Sequence, residues 1–284
     1  MQVVTKIDKM QRICARLKRT GRTIGFVPTM GALHEGHASL VRAARTGNDT
    51  AVVSIFVNPL QFGPREDLKK YPRPFAKDAR LCRKLGVDFV FHPAPEEMYP
   101  QGFGTSVEVA GLSDILEGAV RPGHFRGVAT VVAKLFNIVQ PDTAYFGQKD
   151  AQQAVIIRRM VADMALPVKI KVMPTIREKD GLALSSRNVY LSRRQRQDSL
   201  VLSKALGLAQ EMVSGGQRNA ERVIEKMRAL IARKQGVKID YVAIVDADEL
   251  APVARVRDNS LIAVAVRFGR TRLIDNIIVT GLHG

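Results

Sequence analysis

The sequence predicts an α/β protein: a doubly wound parallel sheet with helices on both faces, followed by a smaller α+β domain. Apolar, β-branched runs alternate with helix patterns through the first part of the 284-residue chain. These runs are apolar at consecutive positions, as strands are when helices cover both faces of a sheet. After about Ile176 the order changes to two helix patterns followed by three strand patterns. We therefore divide the chain into residues 1–176 and 177–284.

The predicted elements of the first domain alternate as a parallel sheet requires. TIGFV at 23–27 is a strand that Pro28 ends, and a helix follows from about Gly36. AVVSIFV, DFVFHP, TAYFG and VKIKVMPTI are further strands. Apolar residues at helical spacing predict helices along 128–139 and 151–165. Ligands of such sheets bind beyond the carboxyl ends of the strands, where the unusual motifs of this chain lie.

The second domain is predicted to mix helices with antiparallel strands. Helix patterns cover 201–213 and 220–234, with Gly215 and Gly216 between them. The strands DYVAIVD, SLIAVAVRF and RLIDNIIV follow. The last two are joined by GRTR, which is typical of a hairpin.

Composition and charge argue against several classes of protein. No apolar run approaches the ~18 to 20 residues of a membrane helix, and the polar start MQVVTKIDKMQRICARLKR lacks the apolar stretch of a signal peptide. Cys14 and Cys82 have no CxxC spacing, so we expect reduced, buried thiols, as in a cytoplasmic protein. The net charge of +17 is spread over both domains, and without Trp the chain offers no evident base-stacking platform. We therefore expect no nucleic-acid partner.

His34 and His37 flank a Glu-Gly pair in GFVPTMGALHEGHASLV, where a strand gives way to a helix. A zinc site needs a third ligand, and HExxH spaces its histidines four apart instead of three. The remaining alternatives are imidazoles that cap the helix or are simply solvated, and imidazoles that bind phosphate. Unpaired N–H groups at a helix start attract anions, and Gly31 and Gly36 permit close approach. No GxxxxGK[ST] or helix-opening GxGxxG string competes, so nucleotide is expected at this turn.

Six strings that follow one another along the chain resemble a known family. They are PTMGALHEGH, SIFVNPLQFGP, YPR, RPGHFRGVATVV, YFGQKDAQQ and DGLALSSRN, between Pro28 and Asn188. Together they resemble the pantoate–β-alanine ligases of the HxGH nucleotidylyltransferase superfamily. YVAIVDADEL and RLIDNIIV extend the likeness nearly to the end. The resemblance implies a Rossmann-like catalytic domain and a carboxyl-terminal lid domain.

This resemblance implies an AMP-forming ligase that makes pantothenate, a precursor of coenzyme A. The carboxylate of (R)-pantoate would attack the α-phosphorus of ATP, giving pantoyl adenylate and pyrophosphate, and the amine of β-alanine would then displace AMP. Mg²⁺ is expected to arrive with the triphosphate instead of in a cage of protein ligands. The resemblance also implies a homodimer, and we expect it in the cytoplasm without a membrane partner.

The resemblance assigns site residues by position. His37 and His34 would donate to phosphate, and Lys149 would follow the phosphate into the transition state as a flexible point charge. Gln61 and Gln153 would bond the hydroxyl and carboxylate groups of pantoate, with Pro28 and Met30 around them. The residues expected at ATP are Met30, Gly31, His34, Gly36, His37, Gly147, Lys149, Asp150, Ile176, Leu184, Ser185, Ser186 and Arg187. Ser185 to Arg187 would play the part of KMSKS, and Leu184 stands where the family more often has Met.

The segment GPREDLKKYPRPFAKDARLCRK resembles a mobile cover of the site, but it is more basic than the family's commoner pattern. We therefore assign no specific role to Arg73, Lys77 or Asp78. Two other functions are consistent with parts of the sequence. One is a nucleotidyltransferase that uses the same turn for a different acceptor, against which the Gln61 and Gln153 strings argue. The other is a basic nucleic-acid binder, which would show a steep salt dependence of binding.

Overall fold

Buried β-branched runs form the centre of a parallel sheet. The structure, a computed structural model, describes residues 1–64 and 66–282. Within these residues the sheet has six strands in the order β1-β4-β3-β2-β5-β6, and every neighbouring pair is parallel. The predicted parallel sheet is confirmed. Its strands are β1 (Gln2–Val4), β2 (Ile24–Thr29), β3 (Thr50–Ile55), β4 (Phe89–Phe91), β5 (Thr143–Gly147) and β6 (Lys169–Met173).

Helices cover both faces of this sheet, which confirms the doubly wound arrangement. They are α1 (Ile7–Arg19), α2 (Glu35–Gly47), α3 (Phe75–Lys84), α4 (Pro95–Met98), α5 (Glu117–Val120), α6 (His124–Val139) and α7 (Ala151–Asp163). Consecutive strand residues point to opposite faces. Phe26 and Val52 accordingly pack in one apolar cluster with α1, α6 and α7, whereas Val27 and Val53 pack in another with α2 and α3.

The polar amino terminus adds two elements that the hydrophobic pattern does not predict. Strand β1 pairs with β4 at the edge of the sheet. Helix α1 is charged on its outer side and buries Met10 and Cys14. Cys82 on α3 is buried as well, and neither cysteine forms a disulfide. The expectation of buried, unpaired thiols is confirmed.

The later part of the chain builds a second, smaller sheet. Helices α8 (Arg193–Asp198), α9 (Val201–Ser214) and α10 (Ala220–Ala232) precede β7 (Val237–Asp246), β8 (Ser260–Phe268) and β9 (Thr271–Ile278). The three strands are antiparallel in the order β7-β8-β9. Phe268 pairs with Thr271, so Gly269 and Arg270 form the two-residue hairpin turn that GRTR predicts. The mixed α+β domain is confirmed.

Backbone proximity divides the chain into two units. One contains Met1–Gly147 and Ile156–Pro174, and the other contains Gln148–Val155 with the chain from Thr175 onward. The boundary expected after residue 176 lies near the second of these transitions. The pattern does not predict that Gln148–Val155 belongs with the later residues. Among the described residues, we find no helix with the length and apolar character needed to cross a membrane.

Candidate active site

The carboxyl end of β2 lies where the strand order of the sheet reverses. The chain continues from β2 to β3 and β4 on one side, and it later adds β5 and β6 on the other. The β2–β5 ladder ends at Phe26 and Ala144, whereas the β2–β3 ladder continues to Thr29 and Ile55. Pro28, which has no N–H to donate, therefore lies beyond the end of the β5 ladder. Ligands of open α/β sheets bind at such a reversal.

An acidic side chain from α3 holds the turn that follows β2. Gly31 and Ala32 both have left-handed backbones, with φ of 84° and 51°. The carboxylate of Asp78 accepts hydrogen bonds from the backbone N–H groups of Ala32 and Leu33, each at 2.8 Å. Asp78 is only 1% exposed. An ionisable group buried this deeply and bonded to two turn amides supports a conformation that non-glycine residues seldom adopt.

The two histidines of the turn cap α2 through their rings. The Nδ1 atom of His34 accepts from the backbone N–H of Gly36 at 3.1 Å, and Nδ1 of His37 accepts from that of His34 at 3.3 Å. The ring centroids are 4.1 Å apart. A Cβ on Gly36 would lie 2.9 Å from the His34 ring, so a larger residue there would displace the ring from this position. Because each Nδ1 accepts, each neutral ring carries its proton on Nε2 and keeps that nitrogen as a donor.

Met30 and Gln61 lie together, as the resemblance implies. The amide nitrogen of Gln61 is 3.0 Å from the Met30 sulfur, and its amide oxygen accepts from the Asn58 side chain at 3.0 Å. Asn58 also donates to the carbonyl of Gly127 and accepts from the Tyr99 hydroxyl at 2.7 Å. These bonds set which way the Gln61 amide faces.

A second network, missed by the sequence analysis, holds the backbone of Gln61. Its carbonyl accepts from Nδ1 of His124 at 2.8 Å, and Nε2 of His124 accepts from Arg121 at 3.0 Å. Arg121 also makes two hydrogen bonds to the Glu66 carboxylate, at 2.6 and 2.7 Å. Burial, together with the charge of Arg121, lowers the pKa of His124 to about 4. Arg121 and His124 lie in RPGHFRG, part of one of the strings that resemble the family, and this position was the sign in the sequence that could have identified them.

The basic segment GPREDLKKYPRPFAKDARLCRK includes the buried Asp78. The sequence analysis assigns no role to Asp78. The structure corrects this, because the Asp78 carboxylate accepts hydrogen bonds from the turn between β2 and α2. Arg73 forms a local bond to the carbonyl of Leu68. Arg65, at the start of the segment, lies outside the described residues.

In the other unit, β9 contacts the short 3₁₀ helix Gln148–Asp150, which carries Lys149. The ammonium of Lys149 is 3.5 Å from the carboxylate of the exposed Asp150. The carbonyl oxygens of Gln148 and Lys149 accept from the side-chain amide of Asn276. Helix α7 begins at the next residue, and half-buried Gln153 lies in its first turn.

The loop before α8 brings other predicted residues of this unit together. The backbone N–H of Leu184 bonds to the carbonyl of Ile176 at 3.0 Å. Ser185 caps the 3₁₀ helix Ser186–Tyr190, and its hydroxyl accepts from the N–H of Arg187 at 3.2 Å. The chain from Ile176 to Leu184 is therefore folded back on itself, and two hydroxyls and a guanidinium follow directly after it.

The two units thus hold separate groups of the predicted residues. One group contains Pro28, Met30, Gly31, His34, Gly36, His37 and Gln61, with Gly147 at the end of β5. The other contains Lys149, Asp150, Gln153, Ile176, Leu184, Ser185, Ser186 and Arg187.

Comparison with known proteins assigns the chain to a family. The sequence model of the pantoate–β-alanine ligases matches residues 2–278. The chain belongs to that family. It is 55% identical to the pantothenate synthetase of Koribacter versatilis, over 98% of this chain and 96% of the relative. The corresponding enzyme of Caldicellulosiruptor saccharolyticus is 54% identical, over 98% and 99% of the two chains.

Solved structures of the same family share the fold. The pantothenate synthetase of Thermus thermophilus superposes with a TM-score of 0.94 at 47% identity, covering 99% of this chain and 100% of that one. The pantoate–β-alanine ligase of Francisella tularensis, complexed with β-γ ATP and β-alanine, gives a TM-score of 0.80 at 35% identity. The coverage is 98% of this chain and 97% of that one. The chain is therefore a ligase that joins pantoate to β-alanine.

Proposed function

We propose that this ligase works in two steps at the expense of ATP. The carboxylate of (R)-pantoate attacks the α-phosphorus of ATP, and pyrophosphate leaves to give pantoyl adenylate. The amine of β-alanine then attacks the acyl carbon, and AMP leaves to give pantothenate. Family membership supports this reaction, as does the F. tularensis relative in complex with an ATP compound and β-alanine. The single observation that carries the proposal is the geometry of the His34–His37 turn.

The histidine turn suits the first step because its donors are already oriented. Attack on the α-phosphorus builds negative charge on the phosphate oxygens, which preorganised donors stabilise. Backbone bonds to Nδ1 orient both rings and leave the protons on Nε2. The positive end of α2 adds to the attraction for an anion. We propose His37 and His34 as catalytic donors, with Met30, Gly31 and Gly36 forming the adjacent nucleotide contacts.

A second set of residues is proposed to bind ATP, with cations and hydroxyls for the departing pyrophosphate. Lys149 supplies a flexible point charge that follows the phosphate, and Ser185, Ser186 and Arg187 supply two hydroxyls and a guanidinium. The folded loop places the Ser185 hydroxyl against the Arg187 N–H. Further ATP contacts are proposed for Gly147, Asp150, Ile176 and Leu184.

Pantoate is proposed to bind through amides. Gln61 and Gln153 can donate to a carboxylate and accept from a hydroxyl without placing another charge beside the attacking group. The bonds of Gln61 to Asn58 and Met30 fix its amide before substrate arrives. Pro28 and Met30 supply the apolar surface for the methyl groups of pantoate.

We further propose a Mg²⁺-dependent, homodimeric, cytoplasmic enzyme. Within residues 1–64 and 66–282 no three His, Cys, Asp or Glu side chains are grouped to hold a metal. Magnesium would therefore be carried by the phosphate oxygens, which it prefers together with water. Buried, unpaired thiols are compatible with a reducing compartment.

The test is pantoate-dependent exchange of labelled pyrophosphate into ATP, with Mg²⁺ and without β-alanine. Exchange in the wild type that requires pantoate supports the adenylate. His37→Ala should reduce exchange on the order of 10²–10³-fold while the protein stays folded. Glu35→Ala is the matched control, because Glu35 lies between the histidines but is exposed and pairs with Arg42. Near-wild-type exchange by His37→Ala would refute the role of His37.

A further inference from the structure

Two adjacent residues of β9, Asp275 and Asn276, hold the two loops that contain the proposed phosphate ligands of their unit. Asn276 donates from its side-chain amide to the carbonyls of Gln148 and Lys149, at 3.0 and 2.9 Å. Its side-chain oxygen accepts from the Gln148 side chain at 2.9 Å. The two donated bonds hold the backbone from which the Lys149 side chain extends, and the accepted bond holds the neighbouring Gln148 side chain.

Asp275 holds the other loop through Arg177. The guanidinium of Arg177 donates to both carboxylate oxygens of Asp275, at 2.6 and 2.9 Å. The same guanidinium donates to the carbonyl of Gly181 at 3.0 Å, which closes the turn before Leu184. A two-bond arginine–carboxylate pair fixes orientation as well as distance. Asp275 thus anchors the base of the loop that ends in Ser185, Ser186 and Arg187.

The geometry of a strand explains how two adjacent residues of β9 can bond two different loops. Side chains of consecutive strand residues point to opposite faces of a sheet. Asp275 and Asn276 are 2% and 5% exposed, and both lie within the continuous β8–β9 ladder, opposite Val264 and Ala263. Asp275 also accepts from the backbone N–H of Asn276 at 2.8 Å. A paired, buried strand is a more rigid support than either loop could give itself.

We propose that Asp275 and Asn276 are positioning residues for the adenylation step. They touch no reacting atom and act through the backbone of Lys149 and through Arg177. The inference rests on the proposed function, because it matters only if Lys149 and Ser185 to Arg187 bind the phosphates. Displacement of such groups by about 1 Å can cost on the order of 10²-fold in rate. The second step, in which no pyrophosphate leaves, should depend on them much less.

The experiment compares two variants of β9 with one control variant in the same sheet. Asn276→Asp keeps the size and the acceptor of the side chain but removes its donors to the two carbonyls. Asp275→Asn keeps the size and removes the charge that pairs with Arg177. Asp240→Asn is the control: Asp240 is likewise a buried acid of this sheet, paired with Arg267 and Arg272, and it contacts neither loop.

Two half-reactions are measured with the full-length protein, alongside the thermal midpoint. We expect both β9 variants to lose roughly 10- to 100-fold in the kcat of pyrophosphate exchange. Their reaction of supplied pantoyl adenylate with β-alanine should stay within about twofold of wild type. Asp240→Asn should lower the thermal midpoint comparably and leave both half-reactions unchanged. Arg177→Lys, which leaves β9 intact, should show the same selective loss and replaces Asp275→Asn if that variant does not fold.

Three results would overturn the inference. They are exchange rates in the β9 variants equal to that of Asp240→Asn, equal losses in both half-reactions, and an unaffected Arg177→Lys variant. Absence of exchange in the wild type has a different meaning, because it contradicts the proposed function before any variant is compared.

Discussion

Replacing Asp78 by asparagine removes half of the support for the turn that precedes α2. Each carboxylate oxygen of Asp78 accepts one backbone N–H, from Ala32 or from Leu33. Asparagine has a single acceptor oxygen, so one buried N–H loses its partner. A hydrogen bond to a charged group contributes about 1.5–3 kcal/mol. Burial also raises the pKa of Asp78, so a neutral amide recovers part of the cost of the buried charge. We expect a net loss of about 1–2 kcal/mol in the free energy of unfolding at pH 7.

The catalytic consequence is expected to be larger than the loss of stability. Ala32 has a left-handed backbone, so a weakened anchor lets the turn relax and shifts His34 and His37. We expect exchange of pyrophosphate to fall at least about tenfold in kcat. Urea titration measures the stability, and the exchange assay is run where the variant is fully folded.

A matched control comes from the opposite end of the same strands. Asp49 also accepts a backbone N–H, that of Thr23, but it is exposed and lies far along the strands from the turn. Asp49→Asn should leave exchange unchanged. If Asp78→Asn unfolds at the wild-type urea concentration, or if it is less stable but exchanges at the wild-type rate, the reasoning about this anchor is refuted.

Three other predictions concern protonation, substrate binding and reactivity. The pKa of His124 is lowered from 6.5 to about 4 in the folded protein. The neutral ring therefore contributes fully to stability above about pH 6.5. This contribution is lost as the pH falls toward 4, because the unfolded chain takes up the proton at a higher pH than the folded protein does. The loss amounts to as much as about 3 kcal/mol. His124→Asn should flatten the fall in unfolding free energy over this pH range. Parallel plots of unfolding free energy against pH for the wild type and the variant would contradict the assignment. Gln153→Ala should raise the KM for pantoate roughly tenfold with little change in kcat, and an unchanged KM would exclude the proposed contact. Burial raises the pKa of the Cys14 and Cys82 thiols to about 12 and about 11, so a disulfide reagent at about pH 8 should label both in urea and neither in the native protein.

The sheet was predictable because its central strands are apolar runs in the sequence. Runs such as AVVSI in β3 are apolar on both faces because helices cover both faces. The edge strand β1 is only Gln2–Val4 and gives no such run. Helix α1 is amphipathic but highly charged, and its buried stripe includes Met10 and Cys14. The formation of short or strongly charged elements depends on the residues that pack against them, and the hydrophobic periodicity of the sequence does not identify those residues.

The histidine turn was predictable in place but not in geometry. A strand, glycines and two histidines before a helix pointed to an anion site, with helix capping as the alternative. The structure is consistent with both roles at once, because Nδ1 of each ring accepts a backbone N–H of the turn and Nε2 remains a donor. The ring orientations depend on backbone positions, so residue identity alone could not distinguish capping from binding.

The fold class and the family could be predicted from the sequence, which also proposes residues with the chemistry to bind phosphate and a hydroxy acid. These follow from local properties: hydrophobic period, residue type and spacing along the chain. The fold alone shows which distant side chains bond the segments that contain these residues. Asp78 reaches a turn 45 positions earlier in the chain, and Asn276 reaches one 127 positions earlier. A polar residue in a basic helix or in a strand carries no local sign of such a partner, because the partner is chosen by how the chain folds and not by its neighbours in sequence.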